Sequence, residues 1–276
     1  MNDKSMQQSQ RFHGLDFLRG LMMSLGLVLH SAQMYMVNPV LDYYWDPARS
    51  LSMDILLFWI NTFRMPVFFM LSGFFTAMLL RRRGPQQMFQ DRYRRIVIPF
   101  LVFLPPLALV MTALRIIARN VMATGELGFD LNYIEDPEQL WNNTHNLWFL
   151  YYLILYIVTL RLAIMWLPSI ANIEKSAPTQ EVYAPITMLP VCLAFALIGG
   201  FSDIGRVSGN LSFVPALDVY LVYGICFAFG VLLYRRIMDL DVLARAWKKY
   251  MALATAMFFV ALFSLLSKGS MDQLGY

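Results

Sequence analysis

Residues 15–37, LDFLRGLMMSLGLVLHSAQMYMV, form an apolar run of about 23 residues. At about 1.5 Å per residue, a helix of that length crosses a bilayer core of about 30 Å. Asp16, Arg19 and His30 do not belong in a plain membrane anchor. Eleven positions separate Arg19 from His30. That is about three helical turns, so the two face the same way about 16 Å apart along the axis. Asp16 falls close to the same face. An ionisable residue inside a membrane is costly, which makes it a functional-site candidate. A purely structural role, in which His30 hydrogen-bonds a neighbouring helix, explains it equally well at this point.

The rest of the chain is of the same kind. Hydrophobic residues make up 58% and charged residues 14%, against about 45–50% and about 25% in soluble proteins. The aromatics lie inside apolar runs rather than interleaved with basic residues along an exposed groove, which argues against nucleic-acid binding. Cys192 and Cys226 both fall in predicted spans and define neither a disulfide framework nor a metal site. The N-terminal arm lacks a cleavable signal pattern, so the first span is expected to act as its own insertion signal.

Further spans are read at 54–80, 96–118, 147–167, 186–201, 214–234 and 250–267. The expected fold is an all-α, polytopic transmembrane bundle of about seven spans in one domain over residues 1–276. Pro99, Pro105 and Pro106 predict kinks in the third span. The loops at 81–95 and 235–249 are strongly basic, whereas those at 38–53 and 119–146 are acidic. Cytoplasmic loops collect Lys and Arg. The N-terminus and both basic loops are therefore expected inside, with 119–146 outside. This orientation brings His30, Asn61 and Arg64 to a similar depth, about 10–15 Å below the outer edge. Arg64 at that depth is either a structural ion pair or carbonyl clamp, or a contact for an oxyanion or phosphate.

The segment LDFLRG, with Arg19 and His30 eleven apart, resembles the R-x10-H pattern of the acyltransferase 3 family of membrane acyltransferases. FRMPVFFMLSGFF is similar to that family's second-helix signature. DRYRRIVIP resembles its R-x-x-R element, matched by Arg92 and Arg95. HNLWFLYYL resembles its H-L-W-F-L helix start, with Asn146 interposed after His145, and FAFGVLLYRR is similar to a later span ending. The matches run in order across about 220 residues. Within the family, the FRMPVFF-SGFF wording most resembles the succinyl transferases of osmoregulated periplasmic glucans.

The resemblance implies transfer of an acyl group, such as succinyl or acetyl, from a cytoplasmic donor such as acyl-CoA to a hydroxyl of an extracytoplasmic carbohydrate. It implies no bound cofactor or metal, and a bacterial inner-membrane location. On this reading Arg19, Asp16, Arg92 and Arg95 serve the donor, with Asp16 pairing with Arg19. His30 takes the acceptor proton or carries the acyl group. Arg64 or Asn61 stabilises the oxyanion. His145 and Trp148 line the acceptor entrance, although interfacial anchoring also explains Trp148. Arg81, Arg82 and Arg83 are better explained as a topology signal than as phosphate ligands. The family has about ten spans where seven are read here, so the chain is expected to be a fragment or to lack the later helices.

A transporter or exporter of a glycan or anionic metabolite is the competing function, since buried His and Arg among Pro-broken helices serve transport too. No pairing of matching interrupted helices is found, which favours the enzyme. The orientation is directly measurable. A single cysteine at Asn132 should react with a membrane-impermeant reagent on intact cells, and one at Gln86 should not.

Overall fold

The computed structural model describes residues 13–37, 44–133, 142–171, 211–235 and 247–267. Regular structure in these residues is helical throughout. The principal helices are α1 (His13–Ala32), α2 (Leu51–Arg92), α3 (Ile98–Thr124), α4 (Trp148–Trp166), α5 (Leu217–Arg235) and α6 (Trp247–Ser267). Four stretches are long and apolar enough to cross a membrane: His13–Tyr35, Leu51–Thr124, His145–Trp166 and Leu217–Tyr234. The second runs 74 residues and contains both α2 and α3. The expected fifth span, 186–201, lies outside the described residues. Within the described residues, α6 is apolar only over the shorter segment Met251–Val260.

The segment read as a basic loop at 81–95 is helical on both sides of one residue. Gly84 leaves the helix at φ 76° and ψ 171°, in the region where only glycine is unstrained. Pro85 follows, and its fixed φ suits the first turn of a new helix. Asp91 forms an ion pair with Arg83 across the reversal. A π-helical turn, Tyr93–Val97, then leads into α3. α3 runs as one helical element that includes Pro105 and Pro106. Pro99 lies in the first turn, where its missing N–H costs nothing. In apolar surroundings the remaining backbone bonds hold the helix through the proline pair. A reversal of chain direction falls before α3, where a glycine permits it. At its far end α3 stops at Gly125, whose φ of 76° lets its N–H reach the Val121 carbonyl.

The bundle is organised around the α2–α5 pair. Gly73 lies directly against the Phe227 carbonyl, and Gly230 against the Met70 carbonyl. Small residues let helix backbones approach closely where water-driven association is weak. Aromatic side chains fill the space around this contact. Phe69 stacks on Tyr223 at 4.8 Å and meets Tyr156 edge-on at 5.6 Å, while Tyr156 stacks on Phe227 at 5.5 Å. The Tyr156 hydroxyl donates to the Tyr220 carbonyl at 2.9 Å, tying α4 to α5. Phe17, Leu27 and Leu109 lie exposed on outward faces that a bilayer would cover.

Gly73→Ala and Gly230→Ala should each lower stability by about 1–3 kcal/mol, since the added methyl meets backbone that cannot rotate away. Gly20→Ala, whose Cβ meets nothing within 4 Å, should show no such loss. Thermal unfolding of the purified protein in detergent compares the three.

Candidate functional site

Helical spacing places two stripes face to face. On α1 the stripe is Asp16, Arg19, Met23, Gly26 and His30. On α2 it is Asn61, Arg64, Phe68, Ser72, Phe75 and Arg82. Successive members are three or four residues apart except across the turn between Phe75 and Arg82, so each set shares one side of its helix. The end of α1 and the start of α2 are pinned together. The Val37 N–H donates to the Asp54 carboxylate at 2.9 Å, and Asp54 is fully buried. Leu29, Ala32 and Met36 pack there against Leu57 and Ile60.

Between the inner parts of the stripes lies a cavity of about 660 Å³. Asp16, Arg19, Arg92 and Arg95 all line it, with Arg82 beside them. Its other walls are largely apolar, from Met23, Phe68, Phe75 and the α4 residues Phe149 and Leu153. The four residues singled out from two separate sequence segments thus share one space. Its formal charge is strongly positive, with Asp16 the acid among these arginines. Asp16 and Arg19 do not pair. The Arg19 guanidinium instead sits over the Phe75 ring at 5.5 Å, a cation–π contact that leaves its polar edge available.

Arg92 enters from the far side of the hairpin. Its Nη2 donates to the Ser72 carbonyl at 3.5 Å. Its Nε is buried and finds no partner among the described residues. A buried guanidinium with an unmet donor is costly, and such groups usually have a ligand or a water. Arg83 is held by Asp91, so of the arginine trio at 81–83 only Arg82 lines this cavity.

Farther along the stripes the Arg64 guanidinium rests on the backbone of Gly26, where a Cβ would lie 2.5 Å from Nη1. Gly26 is one turn from His30. Arg64 and His30 therefore belong to the same stretch of the α1–α2 seam, and the Arg64 Nε is also buried without a partner among the described residues. Asn61 is half-buried, one turn from Arg64 on the same face. The His30 ring is exposed on the open side of the seam and shares a hydrogen bond of 3.2 Å with the Gln33 side chain. Gly26 was not picked out from the sequence. Its position on the Arg19–His30 stripe was the available signal, because a glycine there admits a long side chain from the facing helix.

His145 lies in the short 3-10 turn before α4, and Trp148 opens α4. His145 is buried, at 4% exposure, with φ 48°. Its N–H donates to the Asn143 side chain at 2.7 Å, and its Nε2 has no partner among the described residues. Residues 142–144 and 211–213 are knitted together nearby. The Thr144 hydroxyl donates to the Leu211 carbonyl at 2.8 Å, and the Phe213 N–H donates to Asn142 at 3.0 Å. Trp148 sits in the aromatic cluster, with ring centres 5.7 Å from Tyr223 and 6.0 Å from Tyr152. Half-buried, it packs between α4, α2 and α5.

Apolar helices of crossing length, with a cationic cavity between them, are the features of an integral membrane protein. The chain belongs to the acyltransferase 3 family, whose acyltransferase domain matches residues 12–275. It is similar to glucans biosynthesis protein C of Escherichia coli K12, at 28% identity over 201 residues. That alignment covers 72% of this chain and 49% of the relative. The protein of the same name from Salmonella gallinarum is 29% identical over 205 residues, covering 71% of this chain and 49% of that one. The chain thus spans about half the length of the curated relatives it matches. No solved structure matches it.

Proposed function

We propose that this chain forms the donor side of a membrane O-acyltransferase. It would move an acyl group, such as succinyl or acetyl, from cytoplasmic acyl-CoA to a hydroxyl of an extracytoplasmic carbohydrate. Family membership and the name of the relatives support the class of reaction and a glucan-type acceptor. The observation that carries the donor assignment is the shared cavity of Asp16, Arg19, Arg92 and Arg95. Its arginines suit the phosphates of CoA, to which guanidinium groups make charge-assisted, often bidentate bonds. Its apolar walls suit the pantetheine arm and the acyl group. The protein is read as lying in the bacterial inner membrane with a cytoplasmic N-terminus and about seven spans, which puts the cationic cavity on the donor side.

The chemistry follows the seam from Arg19 toward His30. In direct transfer, His30 accepts the proton of the acceptor hydroxyl as its oxygen attacks the thioester carbonyl. The developing oxyanion is held by Arg64, with Asn61 as a second donor. Collapse expels the CoA thiolate, which takes up a proton, and leaves an ester on the carbohydrate. If His30 carries the acyl group instead, the same oxyanion contacts serve both half-reactions. His145 and Trp148 belong to the acceptor side. The buried, unpartnered Nε2 of His145 is the group there with a hydrogen bond to give or receive.

Two experiments test this reading. Changing Arg92 and Arg95 together to Ala should weaken CoA binding by about 1.5–3 kcal/mol for each lost phosphate contact. Calorimetry on the purified variant reads this directly, and unchanged affinity removes the donor assignment. In the intact enzyme, His30→Gln should cut transfer of labelled acyl groups at least 10²–10⁴-fold while membrane levels hold, because glutamine hydrogen-bonds but cannot take a proton near neutral pH. Arg64→Lys should lose less, since charge survives without the planar fork. Acylation at the wild-type rate by His30→Gln would make His30 structural and favour export of a glycan or anionic metabolite without acyl transfer.

A further inference from the structure

A second cavity, of about 800 Å³, lies on the other side of the hairpin and shares no lining residue with the donor cavity. Gln86, Phe89 and Arg94 line it from the hairpin and π-helical turn, and Arg161, Ile164 and Met165 from α4. The acyl-transfer reading uses none of them.

Arg161 is the sole charged residue of α4, five positions before its end at Trp166. At about 1.5 Å per residue it sits about 8 Å inside the helix terminus. An arginine there normally snorkels toward the headgroup level. Here its guanidinium is held over the Phe89 ring at 5.4 Å, which fixes it at the cavity wall. Arg94 approaches from the opposite wall. Neither arginine has a salt bridge among the described residues, and the nearby acid Asp91 is taken by Arg83. Among the described residues the cavity therefore presents two positive charges with no matching carboxylate.

Its surroundings say what kind of anion fits. Ile164 and Met165 lie one turn beyond Arg161 on the same face of α4. Leu162, Met165 and Trp166 beside it are exposed, Trp166 at 83%. A soluble anion would gain nothing from these side chains, whereas the glycerol backbone and first acyl methylenes of a lipid would cover them. Basic pockets between transmembrane helices on the cytoplasmic side suit anionic headgroups.

We infer that this cavity binds the headgroup of an anionic phospholipid from the cytoplasmic leaflet. Arg94 and Arg161 grip the phosphate, Gln86 donates to the headgroup, and the apolar α4 face carries the start of the chains. The site stands apart from the donor cavity, so it holds whether or not the acyl-CoA assignment does.

Native mass spectrometry of the full chain in detergent, titrated with phosphatidylglycerol, phosphatidylcholine or inorganic phosphate, tests the inference. Phosphatidylglycerol should bind preferentially. Its affinity should fall about fivefold for Arg94→Gln and about 25-fold for Arg94→Gln with Arg161→Gln, from about 1 kcal/mol per interfacial arginine. Phosphatidylcholine binding should not change. Arg94 is exposed, so Arg94→Gln alone decides the matter if the double variant fails to insert. Equal binding of the two lipids, or unchanged phosphatidylglycerol affinity in Arg94→Gln, overturns the proposal. Displacement of bound phosphatidylglycerol by millimolar inorganic phosphate would make this a free-anion site and overturn it too.

Discussion

The backbone contact between α2 and α5 is the constraint on which the described bundle depends. Inside a bilayer the hydrophobic effect does little to bring helices together, so close packing and buried hydrogen bonds must do it. Gly73 and Gly230 provide that packing reciprocally, each against a carbonyl of the other helix. The approach brings Tyr223 and Phe227 together with Phe69, and this aromatic cluster holds α4 through Trp148 and Tyr156. A larger residue at either glycine would separate the two backbones and loosen every ring stacked around them. With α2 held on this side, its opposite face is free to meet α1.

The second constraint is the reversal at Gly84. Arg92 lies twenty positions beyond Ser72. In a straight helix that separation is about 30 Å. Yet the Arg92 guanidinium reaches the Ser72 carbonyl at 3.5 Å. The left-handed backbone at Gly84, the preset φ of Pro85 and the Arg83–Asp91 pair fold the chain back by that distance. One glycine thus folds a run of arginines into two walls. One wall carries Arg92 into the cavity that Arg19 also lines, and the other carries Arg94 to the cavity on the far side.

Electrostatics connects this geometry to function. Placing arginines beside apolar walls is unfavourable unless something anionic repays their desolvation. Arg64 and Arg92 each keep a buried Nε without a partner among the described residues. A bundle optimised for stability alone would satisfy or replace them. Their persistence along one seam, ending at His30, fits a path on which negative charge arrives with a donor and develops again during transfer.

The helical class, the membrane setting and the positions of α1 to α5 were legible in the sequence, because apolar length reports directly on the bilayer. Arg19, His30 and Arg64 stood out as ionisable residues in apolar runs, whereas Arg92 and Arg95 were singled out by their resemblance to a family motif. The helical hairpin at 81–95 was misread as a loop, since arginine-rich composition resembles an exposed turn and the effect of a single glycine on chain direction is not periodic. Helical phase alone put Asp16, Arg19 and His30 on one side of α1. That Arg92 and Arg95 should share a cavity with Asp16 and Arg19, that Gly26 should seat Arg64, and that Trp148 should pack against Phe69 and Tyr223 were decided by tertiary structure. These outcomes depend on contacts between segments far apart in the chain, and no local pattern of residues encodes a distance across the bundle.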